Sequence, residues 1–344
     1  MKRFYLFLIV ASLMLFTACK KEFTITVQSN NEVWGSVTGS GTYAKGSTVS
    51  IAAVAKGGYK FVSWQDNNTD NPRSITVNAN ETYIATFAQE SGGGGGETPT
   101  GLDIHTGIAC IDALANDMVK VQGGTFQMGA TSGDADAGEN EKPRHSVTLS
   151  DFYICKYEVT QELWQAVMGS TPTENGGWTA EKGKGDKYPA YNITWNDCQT
   201  FIQKLNAKTG LKFRLLTEAE WEYAARGGNK SKGYTYSGGN ALDEVAWYKD
   251  NSNNTNHIVM QKTANELGLY DMTGNVWEWC SDWYGATYYT ESAGASNPIG
   301  PSTGSCRVNR GGGRSTFASY CRVSFRSNYT PDDRYDYVGF RLAL

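Results

Sequence analysis

The chain has 344 residues, of which 40% are hydrophobic and 19% are charged, and its formal net charge is −4 at pH 7. This length allows more than one domain, and the mild negative charge without clustered Lys and Arg excludes an obvious nucleic-acid-binding surface. Thirty-nine glycines, 10 tryptophans and 20 tyrosines indicate loops and turns packed on aromatic side chains.

The N-terminus has the pattern of an export signal. Basic residues 2–3 precede the apolar residues 4–16, and Ala18 comes directly before Cys19. A small residue before cysteine resembles a bacterial lipobox, which implies a signal peptide over residues 1–19 and a lipid on Cys19. A plain secretory signal or a single-span anchor remains an alternative, although the apolar run is short for a span. Because Lys20 is not Asp, we expect an anchor in the outer membrane of the cell envelope.

Residues 23–88 alternate apolar and polar residues in short runs separated by Gly and Asn. Such runs predict a small β-sandwich-like module. Residues 35–64 resemble the divergent internalin-B-type bacterial repeat, a surface spacer or adhesion module. Because a single copy is visible, we expect a spacer.

Residues 89–117 are predicted to be a linker. They contain an unbroken glycine run at residues 92–96, and glycine-rich chain of this kind is flexible and buries no core.

The second domain is predicted over residues 118–344. Thr160 is a candidate cap for a short helix, and two helices should begin at capping boxes, Thr194 with Asp197 and Thr217 with Glu220. The chain beyond these helices is rich in aromatic residues, Gly and Asn, and there we expect only short strands.

Three segments carry a family resemblance: GLYDMTGNVWEW over residues 268–279, RVNRGGG over 307–313 and VGFRLAL over 338–344. They resemble the formylglycine-generating enzymes, also called sulfatase-modifying factors. The resemblance implies an irregular α+β domain related to C-type lectins, with little regular secondary structure. It also implies an oxidase that converts a sulfatase cysteine to formylglycine with a copper-binding cysteine pair.

The resemblance implies a binding groove at Trp279, Gly313 and Arg314, with Gly313 in place of a serine. Counted from the RGG, the two catalytic cysteines fall on Thr316 and Cys321; counted back from the Thr-Pro pair at residues 330–331, Cys321 misses even the second position. Threonine is a hard ligand that does not hold Cu(I). We therefore expect neither copper nor the family's oxidation chemistry, and a packed or disulfide-bonded Cys321.

A calcium site is also implied by the resemblance, with the carbonyls of Thr273, Gly274 and Val276 and the carboxylate of Glu278. Oxygen ligands in a tight loop suit Ca²⁺. Alternatively, Glu278 accepts backbone N–H groups in the same loop.

The acidic residues Asp134, Asp136, Glu139 and Glu141 lack the order of a calcium-binding EF-hand loop. We expect a solvated loop there.

Three functions compete for this chain. The first is a lipoprotein whose groove binds a peptide, a glycan or a partner protein, which requires an exposed Trp279. The second is a working oxidase, and the third is a structural or assembly lipoprotein. The missing thiol favours the first and third.

Overall fold

The computed structural model describes residues 21–31, 34–56, 59–66, 68–89, 102 and 104–344. The predicted signal peptide, Cys19 and the glycine run therefore lie outside the described residues. The chain divides into two units, one up to Gly93 and one from Gly94. No helix in the described part is long and apolar enough to cross a membrane.

The first unit is all-β, as predicted. Its strands form two sheets, in the order β3-β1-β7-β5 and β2-β4-β6. The alternating apolar residues point inward, so that Ile25, Ile51, Trp64 and Phe87 are buried together. The strands are β1 Glu22–Ser29, β2 Gly35–Thr38, β3 Gly41–Ala44, β4 Thr48–Ala55, β5 Tyr59–Trp64, β6 Arg73–Thr76 and β7 Glu81–Gln89.

The second unit mixes helices with short strands. The helices are α1 Ala109–Asp112, α2 Leu114–Asp117, α3 Gln161–Met168, α4 Trp195–Thr209, α5 Glu218–Ala225, α6 Leu242–Val245 and α7 Tyr288–Glu291. The strands are β8 Met118–Val121, β9 Gly124–Met128, β10 His145–Leu149, β11 Phe152–Cys155, β12 Arg214–Leu215, β13 Trp277–Trp283, β14 Arg307–Arg310, β15 Ser327–Tyr329, β16 Val338–Gly339 and β17 Leu342–Ala343.

Two four-stranded sheets and one hairpin organise this unit. The sheets have the orders β12-β17-β11-β8 and β15-β14-β13-β16, and β9 pairs with β10. Strand β13 lies between β14, which is antiparallel to it, and β16, which is parallel. The WEW segment thus occupies the centre of a sheet.

The predicted helix starts are confirmed. The Thr194 hydroxyl accepts the Asp197 amide at 2.9 Å, and the Asp197 carboxylate accepts the Thr194 amide at 2.9 Å. The Thr217–Glu220 box has the same two bonds, and Thr160 caps α3. These caps satisfy amide groups that the first helical turn leaves unpaired.

The predicted linker is too long at its C-terminal end. Helices α1 and α2 lie within residues 89–117, and Ile104, Ile111 and Leu114 are buried in the same core as Met118. The folded unit therefore begins by residue 104 rather than 118. Each helix has only four residues, too few to show an apolar periodicity in the sequence.

Buried ion pairs hold the irregular C-terminal third of this unit to its helices and sheets. On α5, Glu222 pairs with Arg226 at 2.7 Å and with Arg310, while Glu218 pairs with Arg326 at 2.6 Å. Burial raises the pKa of Glu222, but the two guanidinium groups outweigh it and set the pKa to about 2. Glu222 is therefore charged at neutral pH.

We predict that Glu222→Gln destabilises the second unit by about 3–5 kcal/mol, because it leaves a buried guanidinium uncompensated. The loss should shrink as pH falls from about 4.5 towards 2, where the native carboxylate also becomes protonated. Urea unfolding measures both effects. The control is Glu139→Gln, which removes the exposed pair with Lys142 and should cost less than about 1 kcal/mol. Equal costs for the two variants would contradict the prediction.

Candidate functional site

The loop after β14 brings residues 316 and 321 together. Gly311 and Gly312 have φ values of +95° and +76°, which side-chain-bearing residues rarely adopt. A Cβ on Gly312 would lie 2.8 Å from the Cys321 sulfur. Glycine at this position is therefore what allows the loop to pass so close to Cys321.

Thr316 lies directly beside Cys321, with 3.5 Å between the Thr316 hydroxyl oxygen and the Cys321 sulfur. The same hydroxyl accepts the Gly313 amide at 2.9 Å and donates to the Gly313 carbonyl at 2.7 Å. The count from the RGG thus identifies two positions that are neighbours in space. A threonine hydroxyl and one thiol occupy them.

The thiol of Cys321 is enclosed. Its exposed fraction is 1%, and it packs with Leu242, Val245 and Tyr248. Burial raises the pKa of Cys321 to about 11, although the Thr316 hydrogen bond lowers it. Because the thiolate is the reactive form, this cysteine is a poor nucleophile at neutral pH.

The other described cysteines do not supply a second thiol. Cys110, Cys155, Cys198, Cys280 and Cys306 are free, as is Cys321. Cys306 precedes β14, at the opposite end of this strand from the Gly311 turn. The expectation that Cys321 is packed agrees with the structure, whereas a disulfide at Cys321 does not.

The predicted groove residues are buried. Trp279 is 1% exposed, and its indole N–H donates to the Ile193 carbonyl at 3.2 Å. Gly313 is buried too, and Arg314 is bound by Asp336 at 2.9 Å and by Asn256 at 2.8 Å. The prediction that an exposed Trp279 lines a groove is therefore wrong. The reason is that its ring is covered by the Tyr329 ring, which packs on it edge to face, and by the chain at Ile193.

The accessible aromatic residues come instead from the C-terminal segment. Phe317 and Tyr320 flank Thr316 and Cys321 and are 56% and 42% exposed. Lys249 lies 3.8 Å above the Phe317 ring. We call the aromatic face the set of exposed and half-buried rings in this segment: Phe317, Tyr320, Phe325, Tyr329, Tyr335 and Tyr337.

These rings pack in two groups on one side of the β13–β14–β15 sheet. Tyr320 packs on Phe325, which contacts Trp277, whereas Tyr329 contacts Trp279. Trp277 and Trp279 are two residues apart on β13 and so share a face. Tyr329 also contacts Tyr335, which stacks on Tyr337. This face was not predicted from the sequence, although its signal is visible there: aromatic and small polar residues alternate with arginines.

Asn309 lies under the aromatic face. It is directly opposite Trp279 in the sheet register and is completely buried. Neither its amide nitrogen nor its amide oxygen has a hydrogen-bond partner among the described residues. An unsatisfied buried amide costs free energy. Asn309 is therefore a polar group beneath the rings whose hydrogen-bonding capacity is unused.

Glu278, the predicted calcium ligand, is already engaged. Its carboxylate accepts Arg341 at 2.7 Å and the Trp221 indole N–H at 2.8 Å. The alternative, that Glu278 accepts backbone N–H groups, is wrong because its partners are side chains. Of the four predicted ligands, Thr273, Gly274, Val276 and Glu278, one carries a charge, and Arg341 balances it. Among the described residues, no cluster of three or more His, Cys, Asp or Glu is arranged to hold a metal.

Two further buried carboxylates lie near this loop. Glu158 accepts the Val276 amide at 3.2 Å, and Asp271 accepts the Met260 amide at 2.8 Å. Burial raises the pKa of Asp271 to about 6, with Glu278 adding to the rise. Burial, Asp271 and Glu278 together raise the pKa of Glu158 well above its usual value.

The sequence predicted a solvated acidic loop, but part of this loop is buried. Glu141 is buried and pairs with Arg322 at 2.8 Å, and Asp134 pairs with the same guanidinium at 2.7 Å. The loop is thereby fixed to the residue that follows Cys321.

Comparisons with known proteins agree with this architecture. A family model for the sulfatase-modifying factor enzyme 1-like domain matches residues 111–344, and a model for the divergent InlB B-repeat domain matches residues 25–91. The chain is 34% identical over 267 residues to the chaperone protein LppX of Paenibacillus barcinonensis, covering 63% of this chain and 85% of the relative. It is 31% identical over 292 residues to the formylglycine-generating enzyme of Thermomonospora curvata, covering 67% and 94%.

Similar solved structures include the following two proteins. Treponema denticola variable protein 1 superimposes with a TM-score of 0.59 and 35% identity, covering 66% of this chain and 94% of that structure. PvdO from Pseudomonas aeruginosa gives 0.57 and 29%, covering 66% and 93%. The predicted fold, an irregular α+β domain after a small all-β module, is confirmed.

We predict that Thr316→Cys forms a disulfide with Cys321 under mild oxidation, because the side-chain atoms at these positions are 3.5 Å apart and a small shift brings two sulfurs to bonding distance. Peptide mapping by mass spectrometry would show the crosslinked pair. Thr316→Ser is the control and should keep a free Cys321. Failure of the cysteine variant to crosslink, with the protein folded, would show that the two side chains do not face each other.

Proposed function

This chain belongs to the sulfatase-modifying factor family, and from that premise we propose that its domain binds a partner protein or peptide through the aromatic face. We further propose that the chain is exported, that a lipid on Cys19 anchors it in the outer membrane, and that the β module acts as a spacer. In this proposal the domain keeps the family fold without the oxidation chemistry.

The observation that carries the proposal is the Thr316–Cys321 contact of 3.5 Å. Cu(I) needs soft thiolate ligands, and the first of these two neighbouring positions carries a hard hydroxyl. The second carries a thiol with a pKa raised to about 11 by burial. Both facts argue against a copper-bound cysteine pair and against a reactive thiolate.

The composition of the surrounding surface supports binding. Buried framework residues of this segment, such as Arg314, Cys321, Arg322 and Arg326, are bonded or packed inside. Between and after them in the chain lie residues that are at least partly exposed and small polar or aromatic: Ser315, Phe317, Ser319, Tyr320, Ser327, Tyr329, Tyr335 and Tyr337. Tyr and Ser on a rigid scaffold are also what antibody paratopes use, because Tyr offers a large contact area at a low entropy cost.

The names of the relatives are compatible with more than one function for this chain. Formylglycine-generating enzymes are among them, which keeps a sulfatase-modifying oxidase as the alternative function. A relative named as a chaperone, LppX, favours a role in protein handling or assembly. This name and the bacterial repeat also support a place in the cell envelope.

An oxidation assay separates binding from catalysis. The chain, with and without Cu(I), is incubated with a peptide containing Cys-x-Pro-x-Arg, and mass spectrometry measures conversion of its cysteine to formylglycine. We expect no conversion above the copper-only control, because among the described residues a hydroxyl, and not a second soft ligand, lies beside Cys321. Conversion above that control would overturn the proposal in favour of the oxidase.

Ligand selection tests the aromatic face itself. Displayed peptides selected on the chain should lose at least about tenfold in affinity for the double variant Phe317→Ser/Tyr320→Ser, because exposed rings are typical binding hot spots. The control is Met260→Ser, which removes a side chain that is 36% exposed in the same unit. Unchanged thermal stability would show that the double variant is folded. If the selected peptides bind the double variant as tightly as they bind the wild type, the aromatic face is not the binding surface.

Calcium near the WEW loop remains part of the proposal, on the ground of charge balance. The charges of Asp271 and Glu278 raise the pKa of Glu158, and Glu278 also raises the pKa of Asp271, with Arg341 as the guanidinium beside them. A hard cation held by carboxylate and carbonyl oxygens would offset the excess negative charge. Because Glu278 is paired with Arg341, the charge of the cation would be balanced by the carboxylates of Glu158 and Asp271.

We expect millimolar calcium to raise the melting temperature of the wild type by several degrees relative to EDTA, because a ligand that binds the native state stabilises it. Asp271→Asn should abolish this shift, while Asp250→Asn, at an exposed position, should keep it. If calcium leaves the melting temperature of the wild type unchanged, the calcium site is ruled out.

A further inference from the structure

The aromatic face has two ends that differ in their rings. We call the phenylalanine end the rings of Phe317, Tyr320 and Phe325, and the tyrosine end those of Tyr329, Tyr335 and Tyr337. The phenylalanine end contacts Trp277, and the tyrosine end contacts Trp279. These tryptophans are two residues apart on β13, so the strand positions beneath the two ends are about 7 Å apart, which is the distance between alternate residues of an extended peptide.

The tyrosine end presents three phenol rings in mutual contact. The ring centres of Tyr329 and Tyr335 are 4.7 Å apart, and those of Tyr335 and Tyr337 are 5.3 Å apart with an interplanar angle of 11°. All three side chains are half-buried and keep part of their surface exposed. Because the face of an aromatic ring carries negative potential, such rings attract a cation, and more strongly where water is partly excluded.

Two carboxylates without a cationic partner belong to the same segment. Asp332 is exposed and Asp333 is half-buried, and each accepts one hydrogen bond from an amide nitrogen. Among the described residues, no nitrogen of Lys, Arg or His comes within 4.0 Å of either carboxylate. Burial raises the pKa values of Tyr329 and Tyr335, and the charge of Asp333 adds to both rises. The Asp333 carboxylate is therefore close to the tyrosine end.

The other charges around the tyrosine end leave it with a negative balance. Arg334 pairs with two carboxylates at 2.8 and 2.9 Å, and Asp336 pairs with two cations at 2.9 and 3.8 Å, so that these two groups offset each other. Arg307, opposite Tyr329 in the sheet register, is enclosed between two indole rings. Its single charge does not balance the two aspartates, and one negative charge remains. A cationic ligand is complementary to this end.

The phenylalanine end differs, because a cation of the chain already covers one of its rings. The Lys249 ammonium lies 3.8 Å above the centre of the Phe317 ring, which is the kind of contact that a ligand cation would make at the tyrosine end. A second cation would be repelled by Lys249. The phenylalanine end therefore favours an uncharged, apolar group.

We infer that the partner presents an extended segment whose lysine or arginine side chain occupies the tyrosine end, while a large apolar side chain two positions away occupies the phenylalanine end. The cation would lie against the rings of Tyr329 and Tyr335 with the Asp333 carboxylate beside it. The apolar side chain would pack on Tyr320 and Phe325. This inference rests on the proposed function, because it names the chemistry of the partner that the same face would bind.

Peptides selected on the intact chain from an unbiased displayed library are the probe. Those that lose binding to Phe317→Ser/Tyr320→Ser should carry a Lys or Arg two positions from a large apolar residue. Synthetic copies with norleucine in place of that Lys or Arg keep an unbranched side chain without the charge. Fluorescence anisotropy should show that they bind the wild type at least about fivefold more weakly, because the contact between cation and ring is lost.

The outcomes separate this inference from the proposed function. Face-dependent peptides that lack the basic residue, or norleucine copies that bind as tightly as the originals, would overturn the inference and leave the proposed function standing. If no selected peptide depends on the aromatic face, both are overturned.

Variants then locate the cation. Asp332→Asn/Asp333→Asn should weaken binding of the basic peptide at least about threefold and leave the norleucine copy unchanged, because the two carboxylates interact with the charged peptide alone. The control is Asp186→Asn/Glu291→Gln, which removes two carboxylates at exposed positions of the same unit and should change neither affinity. An equal loss for both peptides, or no loss for either, would overturn the inference.

Discussion

Buried pairing of arginine with carboxylates is the interaction on which the second unit depends. Most of its strands have five residues or fewer, so backbone ladders cannot fix the long loops. Instead, Arg310 and Arg326 reach α5, and Arg341 reaches Glu278 on the WEW strand. Each guanidinium also donates to backbone carbonyls, as Arg341 does to Cys155. Because a buried charge without its partner is costly, these pairs select one arrangement of an otherwise irregular chain.

The same pairing separates the inside of the C-terminal segment from its outside. Arg314 and Arg322 point inward and are bonded, whereas Phe317 and Tyr320 between them point outward. The framework therefore rests on the inward side chains. The chemistry that such a scaffold can offer depends on a few other side chains. Here Thr316 is one of them.

Local signals in the sequence predicted local structure well. The capping boxes at Thr194 and Thr217 are formed as expected, because their hydrogen bonds join residues three positions apart. Predictions that depended on distant partners were less accurate. Glu278 was expected to face calcium or backbone amides, but its partner Arg341 is 63 residues away in the chain. Trp279 was expected in a groove, but its ring is covered by Tyr329 and bonded to the Ile193 carbonyl, and both residues are distant in the chain.

The sequence by itself determined the family and the all-β module, because motifs and the alternation of apolar residues specify them. The adjacency of positions 316 and 321 was implied by only one of two counts, and the tertiary structure decided it. The tertiary structure decided which aromatic residues reach the surface and which are buried. It also decided that the Asn309 amide and the Arg307 Nε have no hydrogen-bond partner among the described residues, while Arg310, Arg326 and Arg341 pair with glutamates. These properties depend on contacts between residues far apart in the chain, which no local pattern of residues encodes.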